Sequence, residues 1–102
     1  MVSTLILFGK PEDPAAFEDH FSEVHHPLLL GLSGLKQLRI SRVAGAAHGD
    51  ASLHVLVELE FASEEAMQEA LNSESGQAMA RDLRHFATGG VEVLFARSDC
   101  DP

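Results

Sequence analysis

The sequence predicts a single α+β domain of order β-α-β-β-α-β, with one four-stranded antiparallel sheet and two helices on one of its faces. Three observations carry this. Apolar or alternating runs of strand length occupy residues 3–9, 36–43, 53–61 and 91–97. Two stretches with helical spacing separate the first run from the second and the third from the fourth, and each opens on a capping residue, Asp13 or Ser63. The chain has 102 residues, enough for one small core. The domain is placed at residues 1–97, and 98–102 form a polar tail.

The first run, STLILFG, puts Leu5 and Leu7 on one side and Thr4, Ile6 and Phe8 on the other. Both faces are apolar, which marks a central strand covered twice. Residues 10–14 turn the chain; Asp13 caps a helix and Pro14 fits its first position. At 100° per residue, Phe17, Phe21, Val24 and Leu28 fall within about 60° of one another, a stripe expected to face the core. His25 borders that stripe on one side and His20 lies to the other. His26 points away with Asp19 and Glu23. Pro27 has no N–H for the Glu23 carbonyl and disfavours helical geometry at His26, so the helix is expected to kink or end at the paired histidines. Gly31 and Gly34 then turn the chain.

The second run alternates, with Leu38, Ile40 and Arg42 on one face. Residues 44–52, small and polar, connect it to the third. There Leu53, Val55, Val57, Leu59 and Phe61 share one face, assigned to the helices. His54, Leu56, Glu58 and Glu60 share the other, so His54, which could serve as a second proton carrier, is instead expected to point away from the helices, into an interface between sheets. The second helix starts at Ser63 and buries Ala66, Met67, Ala70 and Leu71. It is interrupted over 72–76, resumes through Met79, Leu83 and Phe86, and stops at Thr88-Gly89-Gly90 before the last strand. The sheet face without helices keeps enough apolar residues to need a cover, and pairing with a second copy supplies one.

Seven Lys and Arg against sixteen Asp and Glu leave a formal net charge of −9, which argues against nucleic acid and anionic membranes as partners. The single Cys100 cannot form an internal disulfide, which favours a reducing compartment such as the cytoplasm. No basic neighbour lowers its pKa, so it reads as an untethered thiol. MVSTLILF lacks the basic segment and cleavage site of a signal peptide. No metal or cofactor is expected. Spacings such as H-x-x-x-H, a P-loop, a dinucleotide fingerprint or G-x-S-x-G are lacking, and Asp19, Glu23 and His26 read as a solvated face.

His25 is the candidate proton carrier, since a neutral imidazole moves protons near physiological pH. The competing reading is a packed histidine bonded to the carbonyl that Pro27 leaves unpaired. Asp82 and His85, three apart, can pair on the helix surface, whereas Asp82 and Phe86 share a face from which Asp82 could orient a pocket histidine.

Several segments together resemble the EthD family of the dimeric α+β barrel superfamily. They are Pro11-Glu12-Asp13-Pro14 with Phe17, Phe21-Ser22-Glu23-Val24-His25-His26-Pro27-Leu28, and Ser33-Gly34-Leu35. Leu59-Glu60-Phe61, Ala66-Met67, Gly76-Gln77 and Asp82-Leu83-Arg84-His85-Phe86 follow. The resemblance covers nearly the whole chain, and its more specific parts are H-x-P-L and G-Q…D-x-x-x-F. It implies a ferredoxin-like fold and a homodimer whose two sheets close a barrel. It also implies a pocket for a small apolar ligand between sheet and helices, with His25 catalytic and Phe21, Val24, Leu28, Asp82 and Phe86 as ligand contacts. The wider superfamily includes lactone isomerases, cofactor-free monooxygenases, polyketide cyclases and haem-related enzymes. EthD proteins are linked to bacterial fuel-ether degradation beside a cytochrome P450 system. Two functions are therefore carried forward: cofactor-free isomerase, lyase or oxygenase chemistry, or a ligand-binding accessory to a partner oxidoreductase. The family usually has tyrosine where this chain has Phe21, and the sequence contains no tyrosine.

Overall fold

Strand β1 (Val2–Gly9) sits between β3 (Leu53–Phe61) and β4 (Val91–Arg97), with β2 (Leu35–Arg42) outside β3, in a computed structural model that describes residues 1–99. All three pairings are antiparallel, and the order β2-β3-β1-β4 is the ferredoxin-like one. Both helical layers lie on one face. Cys100 lies outside the described residues.

Thr4, Ile6 and Phe8 point to the helices beside Val55, Val57, Leu59 and Phe61, and all seven are buried. On the opposite face Leu5, Leu7 and Leu56 are half-buried and Leu94 is exposed. Edge strand β4 also leaves Val93 and Phe95 exposed on its helix side. No helix among the described residues is long and apolar enough to cross a membrane.

The first helical rod runs through α1 (Pro14–His20), a π turn (Phe21–His25) and α2 (His26–Leu30). Asp13 caps it, its Oδ1 accepting from the Ala16 N–H at 3.1 Å. The expected irregularity at the histidines takes the form of the π turn; the helix does not end there, and His26 keeps helical geometry at φ −56 and ψ −46. Pro27 cannot donate to the Glu23 carbonyl, and the backbone widens, so that the His26 N–H reaches the Phe21 carbonyl five residues back.

This changes which side chains face inward. In an uninterrupted α-helix, positions four apart drift by about 40°. The wide turn absorbs that drift, and Phe17, Phe21, His25 and Leu29 line up on the core side, all buried. Val24, predicted in the stripe, is instead turned outward and is 42% exposed. Leu28 is half-buried against the core.

His54 is the other correction. Phe8 pairs with Val55 and Gly9 with Leu53, so His54 is an unpaired residue in a bulge. A bulge breaks strict alternation, and the His54 ring meets Phe17 of α1 edge-on at 5.2 Å. It belongs to the helix side.

The second rod comprises α3 (Glu64–Asn72) and α4 (Glu74–Phe86), with the break confined to Ser73. The Ser73 hydroxyl donates to the Ala70 carbonyl at 2.6 Å and accepts from the Gly76 N–H at 3.2 Å, closing one helix and capping the next. At Gly76 an added Cβ would stand 2.3 Å from the Leu71 carbonyl oxygen. Gly76→Ala should therefore shift the joint and lower stability by about 1–3 kcal/mol, read as a reduced urea midpoint at unchanged m-value.

Candidate functional site

Helix α4 places Met79, Asp82, Leu83 and Phe86 on its inner face, and all are buried. Asp82 is thus a carboxylate in an apolar stripe. An ion there needs hydrogen-bond partners. It has two: His20 Nε2 lies 2.7 Å from Oδ1 and His25 Nδ1 lies 2.9 Å from Oδ2. His20 is the last residue of α1 and His25 the last of the π turn. Five apart, they would diverge on an α-helix, and the wide turn brings both to one carboxylate.

An ionised carboxylate only accepts, so both rings donate an N–H to it. That fixes the tautomer of His25, with the proton on Nδ1 and a lone pair on Nε2. Nε2 is buried and has no hydrogen-bond partner among the described residues. Burial pushes the His25 pKa below its ordinary value, opposed by the hydrogen bond and charge of Asp82, while His20 lowers it further. Around the ring stand Phe86, Phe21 and Phe8, with centroids at 4.9, 5.7 and 6.2 Å. The result is a buried, oriented imidazole in an aromatic setting, with an anion behind it able to stabilise a proton gained.

A half-open cleft of about 270 Å³ adjoins the cluster on its outer side. His20, Phe17 and Phe86 line it, and His25 does not. Its rim is held by a close backbone approach, the Gly9 N–H donating to the Gly90 carbonyl at 2.9 Å. An added Cβ on Gly89 would lie 2.0 Å from the Lys10 carbonyl oxygen. The Thr88 hydroxyl accepts from the Glu12 N–H at 3.1 Å across the same joint.

Of the residues singled out from the sequence, His25, Phe21, Asp82 and Phe86 come together in the core, Leu28 borders it, and Val24 faces outward. Asp82 does not pair with His85 on the helix surface. It turns inward, because its position between Met79, Leu83 and Phe86 is on the buried side. His26 is half-buried and outside the cluster. His20 was missed. The signal for it was Pro27, whose missing N–H favours a wide turn and therefore i, i+5 partners. Among the described residues no three His, Cys, Asp or Glu side chains converge so as to hold a metal ion. Farther out, Arg42 forms a two-pronged pair with Glu18 at 2.9 and 3.0 Å that ties β2 to α1 and holds the Glu18 carboxyl below its usual pKa.

Comparison with known proteins agrees with this architecture. A family model described as EthD domain matches residues 10–90. An uncharacterized 11.0 kDa protein from the thcB-thcC intergenic region of Rhodococcus erythropolis is 34% identical over 95 residues, covering 93% of this chain and 92% of the relative. The crystal structure of an ethyl tert-butyl ether d (ethd) family protein from Bacillus halodurans superposes with a TM-score of 0.93 at 26% identity, over 97% of this chain and 99% of that one. A dimeric protein of unknown function and ferredoxin-like fold from Bacteroides fragilis matches at a TM-score of 0.67 and 12% identity, over 95% of each chain, which shows the fold alone.

A pH dependence follows from His25. The unfolded chain binds its proton near the ordinary histidine pKa and the folded chain resists it. Stability should therefore hold above about pH 6.5 and fall as pH drops below that value. His25→Asn, whose amide N–H can still donate to Asp82, should flatten this decline. Urea titrations of both proteins between about pH 7.5 and 5 measure it.

Proposed function

Since the chain belongs to the EthD domain family, we propose that it acts on a small apolar molecule in a catabolic pathway, with His25 as proton carrier and Asp82 behind it. The observation that supports this most is the hydrogen bond at 2.9 Å that leaves His25 Nε2 as an unprotonated acceptor without a partner among the described residues. In this reading Nε2 takes a proton from the ligand, and the imidazolium formed is stabilised by the carboxylate on Nδ1. Phe21, Leu28 and Phe86 are its apolar contacts, and Val24 lies at the outer margin. The reaction is of cofactor-free isomerase, lyase or oxygenase type. Phe21 stands where the family's tyrosine is expected, so the histidine and carboxylate act without a phenol.

The second reading is a binding protein that presents its ligand to a partner oxidoreductase, such as a P450 ether-degrading system. Its support is that His25 is fully buried, at 0% exposure. Asp82→Asn and His25→Asn separate the two. If the pair performs catalysis, each variant should keep the fold and lose about 10²-fold or more in turnover of a lactone, ether or aromatic substrate accepted by the wild type. Wild-type turnover in both variants would reject the assignment, and tight binding without product in the wild type would support the accessory role.

The working unit proposed is a cytoplasmic homodimer joined through the open sheet face, with neither nucleic acid nor membrane as partner. Exposed Leu94, beside half-buried Leu5 and Leu7, supports this. Leu94→Arg should place a charge at the contact and reduce the mass measured by light scattering to that of a single 11.0 kDa chain without changing far-UV circular dichroism. A wild type already of single-chain mass would refute the dimer.

A further inference from the structure

We propose that the outer cleft is a second ligand site, taking a small neutral molecule with an aromatic ring and a hydroxyl, and that His20 accepts the hydrogen bond of that hydroxyl. Of the two histidines on Asp82, only His20 reaches solvent, its side chain being 31% exposed against 0% for His25. Its Nε2–H is committed to Asp82 at 2.7 Å. With Nε2–H on Asp82, the neutral form of the ring carries its lone pair on Nδ1, and among the described residues the ring's one hydrogen bond is that to Asp82. The ring is held in place from two directions: by the carboxylate, and by stacking on Phe86 at 4.6 Å and 29°. An acceptor fixed in this way loses little freedom when a ligand binds.

The remaining walls select the ligand. Phe17 and Phe86, with ring centroids 5.1 Å apart, give an aromatic floor. Thr88 already accepts from the Glu12 backbone, which leaves its hydroxyl hydrogen to donate to the ligand oxygen. Glu12 and Asp13 stand on the same rim as His85, and two carboxylates against one imidazole leave the rim unfavourable to anions. Phenols therefore fit better than carboxylates or phosphates. A volume of about 270 Å³ is slightly below the range of drug-sized pockets, which suits a single ring. This site shares Asp82 with the inner histidine but does not depend on the role proposed for His25.

The test is an NMR titration of the full-length protein with phenol, toluene and benzoate. Phenol should shift the His20 ring signals and the Ala16 and Thr88 amides saturably, with an affinity at least about tenfold above that of toluene or benzoate, the difference expected for one hydrogen bond to a held acceptor. His20→Phe keeps an aromatic ring and removes the acceptor, and should bring phenol down to the toluene level. Equal affinities for phenol and toluene, saturable binding of benzoate, or no shift at the cleft would overturn the proposal. The three-ligand comparison needs only wild-type protein and decides the matter even where the variant fails to fold. Phenol binding that persists in His25→Asn places any loss of turnover there on the inner histidine alone.

Discussion

A carboxylate buried in an apolar stripe has to be hydrogen-bonded, and the centre of this protein is arranged around that need. Asp82 lies between Met79, Leu83 and Phe86, where an apolar side chain would pack as well. Its two oxygens are met by two histidines from a different helix. The pairing joins the two helical rods over the sheet and orients both rings, while burial in a cage of phenylalanines holds the His25 pKa below its ordinary value against the pull of Asp82.

The partner rod can meet that need only because its helix is irregular. Pro27 removes one backbone donor, and the chain recovers by widening one turn instead of breaking. The wider turn carries His25 from the edge of the apolar stripe to its middle and turns Val24 out. It also lets His20 and His25 approach one carboxylate although five residues separate them. π turns recur at functional sites in proteins, and here the cause of the turn is a single proline.

Two environments result from one aspartate. Inside, His25 has a lone pair on a buried nitrogen with no hydrogen-bond partner among the described residues. Outside, His20 has the same anchor but opens to a cleft with an acidic rim. The chain has no tyrosine, so in the function proposed above proton handling falls to the histidine–carboxylate array. Pairs of groups pushed into different environments by one shared charge are a common way of separating roles.

Much of this was legible in the amino-acid sequence. Strand alternation, the caps Asp13 and Ser63, and apolar spacing determine the β-α-β-β-α-β order, because each is a local pattern with a fixed period. The family resemblance singled out His25 and Asp82, which the structure joins by a hydrogen bond. The phase of the first helix, the bulge at His54 and the contact between His20 and Asp82 were decided by the tertiary structure. The first two depend on how the backbone relaxes around a missing donor or an unpaired residue, and such relaxation has several local solutions until packing selects one. The third joins positions 62 apart in the chain, and only the crossing of the two rods on the sheet brings them together.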